Sequence, residues 1–132
     1  MATLFTKIIN GEIPCHKIAE NEHFFSFLDI NPNSEGHTLV IPKKEVDYFY
    51  DLPDDTIAGL MAFSKKIARA IDKSLDPIRT GVLIQGLEVP HAHVHLIPLY
   101  TPQQPMELSH SITVSDERMK EIAEALKKAI RL

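Results

Sequence analysis

Three histidines, His91, His93 and His95, alternate with Ala92, Val94 and Leu96 in the run from Pro90 to Pro98, and they are where this chain could do chemistry. Alternation with period two is the pattern of a β-strand, in which residues i, i+2 and i+4 share a face. The pattern predicts a half-buried strand with one face made of imidazole. At a rise of about 3.3 Å per residue, neighbouring rings on that face stand roughly 6 to 7 Å apart, near enough to surround one small ligand group. Imidazole titrates near neutrality and acts as nucleophile, proton donor or metal ligand according to its partners. One reading is a metal-dependent enzyme with His91, His93 and His95 as ligands of Zn²⁺ or Fe²⁺. Such sites usually recruit a carboxylate, and the acids nearest in sequence are Glu88 and Glu107. A second reading is that the rings are solvated or core histidines on a sheet face, and a third is nucleophilic catalysis: the central ring attacks phosphorus while its neighbours hold it and bind phosphate oxygens. This reading gives each of the three positions a different task.

The elements that must position these rings are legible in outline. Leu4 to Ile9 reads as a short helical turn ended by Asn10-Gly11. Residues 17–20 and 23–30 read as two strands around a turn at Asn21, the second rich in aromatics, and the 31–36 segment is a loop. His37 to Ile41 is a third strand stopped by Pro42. Pro53, Asp54 and Asp55 suit the first turn of a helix, and Ile57, Leu60, Met61, Ile67, Ala68 and Ile71 then recur at helical spacing to about Ser74. Thr80 to Gln85 is a fourth strand, the histidine run a fifth, and Ser115 caps a last helix with Met119, Ile122, Ala123, Leu126 and Ile130 on one face. Five strands and two main helices joined by short links predict an α+β fold with an antiparallel sheet.

Length and composition bound the function. The 132 residues suit a single domain, residues 1–132, with a core of its own. No apolar run is long enough to cross a membrane, and the first residues lack the basic and apolar segments of a signal peptide, so the expected location is cytoplasmic. Cys15 is the only cysteine, so an internal disulfide is impossible. A net charge of −4 argues against a nucleic-acid partner, because that affinity comes from neutralising many phosphates.

The run His91-Ala92-His93-Val94-His95-Leu96-Ile97 resembles the signature of the histidine-triad (HIT) superfamily of nucleotide hydrolases and transferases, in particular its bacterial nucleotide-binding, Hint-like branch. The segments Leu4 to Pro14, Phe27-Leu28-Asp29-Ile30 and Gly36 to Lys43 are similar to family segments in the same order. The resemblance implies a HIT-like fold: a five-stranded antiparallel sheet with one long helix and a C-terminal helix, forming a homodimer with a continuous ten-stranded sheet. It implies hydrolysis at the α-phosphorus of purine nucleotide derivatives, nucleoside phosphoramidates or dinucleoside polyphosphates, through a nucleotidyl-histidine intermediate. By position, His93 would be the nucleophile, His95 would contact phosphate oxygens, and His91 and His37 would support them. Asp29 would bind the ribose hydroxyls, and Leu4, Phe5, Ile8, Phe27 and Ile30 would form the slot around the purine. No cofactor is implied. A nucleotide-binding module with weak or no catalysis is the alternative from another class.

The segment before the triad departs from the family. Relatives carry a glycine-rich loop there, whereas this chain has the shorter Gln85-Gly86-Leu87-Glu88-Val89-Pro90. Gln85 would take the place of an amide near the phosphate, and Glu88 stands where a hydroxyl or amide would meet the leaving group. Some bacterial relatives also carry a Cys-x-x-Cys zinc clip near the N-terminus. Thr3, Thr6 and Glu45 occupy that neighbourhood here, so the expectation is no structural zinc.

Overall fold

A computed structural model describes residues 2–131; residues 1 and 132, the ends of the expected domain, lie outside them. The first helix, α1 (Leu4–Ile9), starts at Thr3, whose hydroxyl accepts the Thr6 N–H at 3.1 Å and satisfies one of the amides a helix start leaves unpaired. Phe5 and Ile8 are buried, three positions apart on the face turned to the sheet. The strands β1 (Lys17–Glu20), β2 (Phe24–Leu28), β3 (Thr38–Pro42), β4 (Arg79–Leu83) and β5 (Val94–Leu99) form one antiparallel sheet in the order β1-β2-β3-β5-β4.

Two helices cover one face. Helix α2 (Asp54–Leu75) has Pro53 at its N-cap, one position ahead of the first turn, and buries Leu60, Phe63, Ile67 and Ile71. It ends at Asp76, whose left-handed conformation (φ 50°) turns the chain out. Helix α3 (Asp116–Ala129) is capped by Ser115, which accepts the Arg118 N–H, and buries Met119, Ile122, Ala123 and Leu126. Their buried stripes meet Val40, Val94 and Leu96 in the main core. The opposite face carries a smaller cluster in which Phe5 and Ile8 of α1 meet Phe25, Phe27, Leu39 and Ile41. Each fully buried aliphatic or aromatic side chain contributes roughly 1.5 to 3 kcal/mol.

This double cover corrects two expectations. The histidine run is buried on both faces: every residue from His91 to Pro98 is buried, because α2 and α3 close one side and α1 with its neighbours the other. The run is also not one regular strand. Residues 91–93 precede β5 and are tied by bonds outside the sheet ladder, His91 N–H to the Val89 carbonyl at 2.8 Å and Ala92 N–H to the Val46 carbonyl at 2.6 Å. A 3₁₀ turn over Phe49–Asp51, without periodic signal in the sequence, links β3 to α2. Gly36 (φ +93°) precedes β3, where a Cβ would run into the Leu75 side chain and lie 3.2 Å from Pro98 Cγ, so glycine is required. Among the described residues, no helix is long and apolar enough to cross a membrane.

Candidate active site

The protonation pattern of the four histidines is dictated by groups that cannot exchange roles. The backbone N–H of Asn33 donates to His37 Nδ1 at 2.9 Å, so His37 carries its proton on Nε2. That N–H points to His95 Nδ1, 2.9 Å away, which must accept, so His95 carries its own proton on Nε2. At the other end, the Pro42 carbonyl accepts from His91 Nε2 at 2.8 Å, leaving His91 Nδ1 to receive the Thr3 hydroxyl at 2.9 Å. The His91 carbonyl in turn accepts from His93 Nδ1 at 2.7 Å, which frees the lone pair on His93 Nε2. Two adjacent rings thus present opposite faces: His93 offers a lone pair and His95 an N–H.

Both features survive at neutral pH. Burial holds His95 down at about 3, helped by the neighbouring His93 and His37, and holds His37 at about 4. Burial also lowers His93, although the His91 carbonyl pulls the other way. All three shifts run downward from the usual 6.5, which favours the neutral imidazole at pH 7. The ring centroids of His93 and His95 are 4.9 Å apart, and Phe5 packs edge-on against His93 at 5.0 Å. His95 Nε2 is buried and has no partner among the described residues, an uncommon condition for a buried donor.

His93 and His95 line a cavity of about 210 Å³. Its apolar wall includes Phe5, Ile8, Phe27 and Leu39, while Leu4 and Ile30 stand exposed at its edge. Among the described residues, Asp29 and Glu88 are its carboxylates, and no lysine or arginine lines it. Asp29 accepts the Asn31 N–H at 2.8 Å and lies 3.6 Å from His37 Nε2. Burial, with a smaller push from the Glu88 charge, raises Asp29 to about 6. With His37 neutral, that contact is no ion pair.

The structure thus brings together Asp29, Ile30, Leu4, Phe5, Ile8, Phe27, Glu88, His93 and His95. His91 and His37 stand behind them as hydrogen-bonding supports. Gln85 faces elsewhere: it lines a cleft with Tyr48, Tyr50 and Leu87 that shares only His93 with the cavity, and a groove on the far side of Glu88. Two residues that sequence reasoning left unassigned matter most. Thr3 fixes His91, and its only signal is the helix cap it also forms. Asn33 fixes His37, and its backbone is pinned because its buried side chain donates to the carbonyls of Pro105 (2.7 Å) and Glu107 (3.1 Å).

Among the described residues, two groups bring possible metal-ligand atoms within 4.8 Å of one another: Asp29, His37 and His95, and Glu88, His93 and His95. Neither fits a cation well. His37 has both nitrogens engaged, and His95 turns an N–H rather than a lone pair to the cavity, whereas a metal needs the lone pair. Thr3, Thr6 and Glu45 form a hydrogen-bonded knot instead: Glu45 Oε1 accepts the Thr3 N–H at 2.8 Å and the Thr6 hydroxyl at 2.7 Å. The arrangement suits an anion with oxygens to accept from His95 and a centre open to attack by His93.

Residues 10–102 match the HIT domain. The chain belongs to the HIT family. Among HIT relatives, a HIT-like protein of Methanocaldococcus jannaschii is 42% identical over 101 residues, covering 74% of this chain and 78% of that one. The adenosine 5'-monophosphoramidase of Schizosaccharomyces pombe is 33% identical over 133 residues, covering 99% of this chain and all of the relative. A zinc-bound histidine triad family protein of Mycobacterium smegmatis shares the fold with a TM-score of 0.83 at 32% identity, over 98% of this chain and 93% of the other. HIT membership and the five-stranded α+β fold therefore agree with the reading of the triad, and similarity to a named phosphoramidase supports a nucleotide hydrolase in general terms.

Proposed function

We propose that this HIT protein is a nucleotide hydrolase that acts at the α-phosphorus of purine nucleotide derivatives through a covalent intermediate on His93. The observation that carries the proposal is the pairing of a His93 lone pair with a His95 N–H on one cavity. His93 Nε2 attacks phosphorus, and the bond to the leaving nitrogen or oxygen breaks with its electron pair. The leaving atom takes a proton from solvent at the open mouth. Water then displaces His93, returns the electron pair to Nε2 and gives up one proton, which balances the one consumed. The His95 N–H donates to a phosphoryl oxygen on which charge builds during both steps. Asp29 accepts from the ribose hydroxyls, and the wall of Phe5, Ile8 and Phe27 holds the purine.

The S. pombe relative's name supports a phosphorus–nitrogen substrate. Mass spectrometry of protein quenched during turnover of an adenosine phosphoramidate tests the reading: an adduct of one nucleotidyl group on His93 is expected. The His93→Ala variant should bind AMP with turnover down by at least about 10³-fold; full activity in that variant removes the proposal. A nucleotide-binding module without catalysis is the second reading, favoured by the Glu88 carboxylate at the phosphate end. Calorimetric binding of AMP with no turnover on any nucleotide derivative would establish it.

The whole chain, in this reading, acts as one domain and pairs with a second copy. Strand β4 is a sheet edge with Val82 exposed on it and Ile84 exposed just past its end, and an unpaired edge is a template for another strand. Light scattering at twice the chain mass is expected, and a lysine at position 82 should weaken the pair. A cytoplasmic setting suits the single free cysteine, Cys15.

A further inference from the structure

Glu88 separates the nucleophile cavity from a second space, an open groove of about 670 Å³ that also holds Glu107. The two share Glu88 alone, so a group leaving phosphorus toward that side passes over its carboxylate. Within 4.8 Å of that carboxylate lie ligand-capable nitrogens of His93 and His95, and the buried His95 N–H, unpartnered among the described residues, is where the α-phosphorus reading puts a phosphoryl oxygen. Neither space has a lysine or arginine in its lining, while the rings beside the phosphorus site are neutral. A polyphosphate leaving group would therefore bring further negative charge to two exposed carboxylates with no cation to offset it. An ammonium would meet the reverse situation. In the same groove as the two acids, Leu83, Met106 and Leu108 offer half-buried apolar surface of the kind methylene groups cover.

We propose that the groove bounded by Glu88 and Glu107 is a leaving-group subsite for an amine that carries a second, cationic group, so that the preferred substrate is a nucleoside phosphoramidate of a diamine. The inference rests on the α-phosphorus reading above and deepens it. Hydrolysis breaks the phosphorus–nitrogen bond, nitrogen leaves with its electron pair and gains a proton, and water supplies hydroxyl to phosphorus. The distal ammonium takes no part in bond making; it is held by the two carboxylates.

The test compares kcat/KM for adenosine 5'-phosphoramidates of 1,4-diaminobutane and of butylamine, and for diadenosine tetraphosphate, in the wild type, Glu88→Gln, Glu107→Gln and the double variant. Wild type should favour the diamine over butylamine by about tenfold at low salt, with the ratio shrinking as ionic strength rises. Each single substitution should reduce the ratio and the double should bring it near one, while Glu88→Gln should raise the rate on the tetraphosphate. Thermal melting establishes that these exposed positions leave the fold intact. Equal rates on the two amines in the wild type, or a ratio that neither substitution moves, overturn the subsite and leave the hydrolase reading standing. No turnover of any of the three substrates by wild type overturns both.

Discussion

His37 Nε2 lies 2.9 Å from His95 Nδ1, and the direction of that bond is set from outside the pair by the backbone N–H of Asn33. The proton on His95 that faces the cavity is therefore a consequence of loop geometry two residues removed from it in the hydrogen-bond chain. His37 positions His95 and does not itself meet the cavity.

Replacing His37 by leucine should lower kcat by about 10- to 100-fold, the usual cost of losing a group that orients a functional histidine. The KM should change much less. Nitrogen-15 NMR of His95 should report a mixture of tautomers in the variant where the native protein has one. His37→Gln, whose amide can still donate to His95, should recover part of the loss.

The Thr3 hydroxyl both caps α1 and donates to His91. Thr3→Val keeps the shape and removes both bonds, and a stability loss of about 1 to 3 kcal/mol is expected in urea unfolding. Turnover should fall as well, because the His91 carbonyl that directs His93 loses one of its tethers. Serine at the same position should restore both quantities, which separates the hydroxyl's role from that of the methyl group.

Asp29 titrates at about 6 in the folded protein, raised by burial. If its carboxylate accepts from ribose hydroxyls, the ionised form is the binding form. KM for the nucleotide should then fall as pH rises through about 6, with kcat little affected. In Asp29→Asn the inflection should disappear and KM stay high throughout.

Stability should follow pH in the acid range with a sign set mainly by the imidazoles. His37 at about 4 and His95 at about 3 lie below their usual 6.5, so the unfolded chain binds protons that the native state refuses. Their contribution is fully present above 6.5 and is lost progressively as pH falls toward those values. His93 adds in the same direction. Asp29, raised to about 6 from 3.8, opposes them between those two values, one proton against up to three. The melting temperature should drop between pH 6.5 and 4, and the drop should be smaller in His95→Gln.

Much of this was legible in the sequence because it is written in local patterns. The long helix, read to about Ser74 and observed to Leu75, the cap at Ser115 and the succession of five strand segments along the chain all follow from periodicity and turn residues. His93 and His95 on one cavity follow from their spacing by two. What the pattern misjudged was burial: alternation reads as one wet face, yet α1 folds back over it and Phe5 packs on His93. What it missed was the pairing of distant groups. Thr3 with His91 spans 88 positions, and Asn33 is pinned to carbonyls more than 70 positions away. Nor does spacing reveal that residues 91–93 leave the ladder, since the bonds that hold them come from Val89 and Val46.

The Thr3, Glu45 and His91 contacts carry a practical corollary for anyone producing the protein. A purification tag joined ahead of Ala2 would tug on the same few residues that hold His91 and, through its carbonyl, His93, so its placement there amounts to an uncontrolled mutation of the candidate site. Fused behind α3, which packs on the opposite face of the sheet from α1, the same tag would not pull on those contacts.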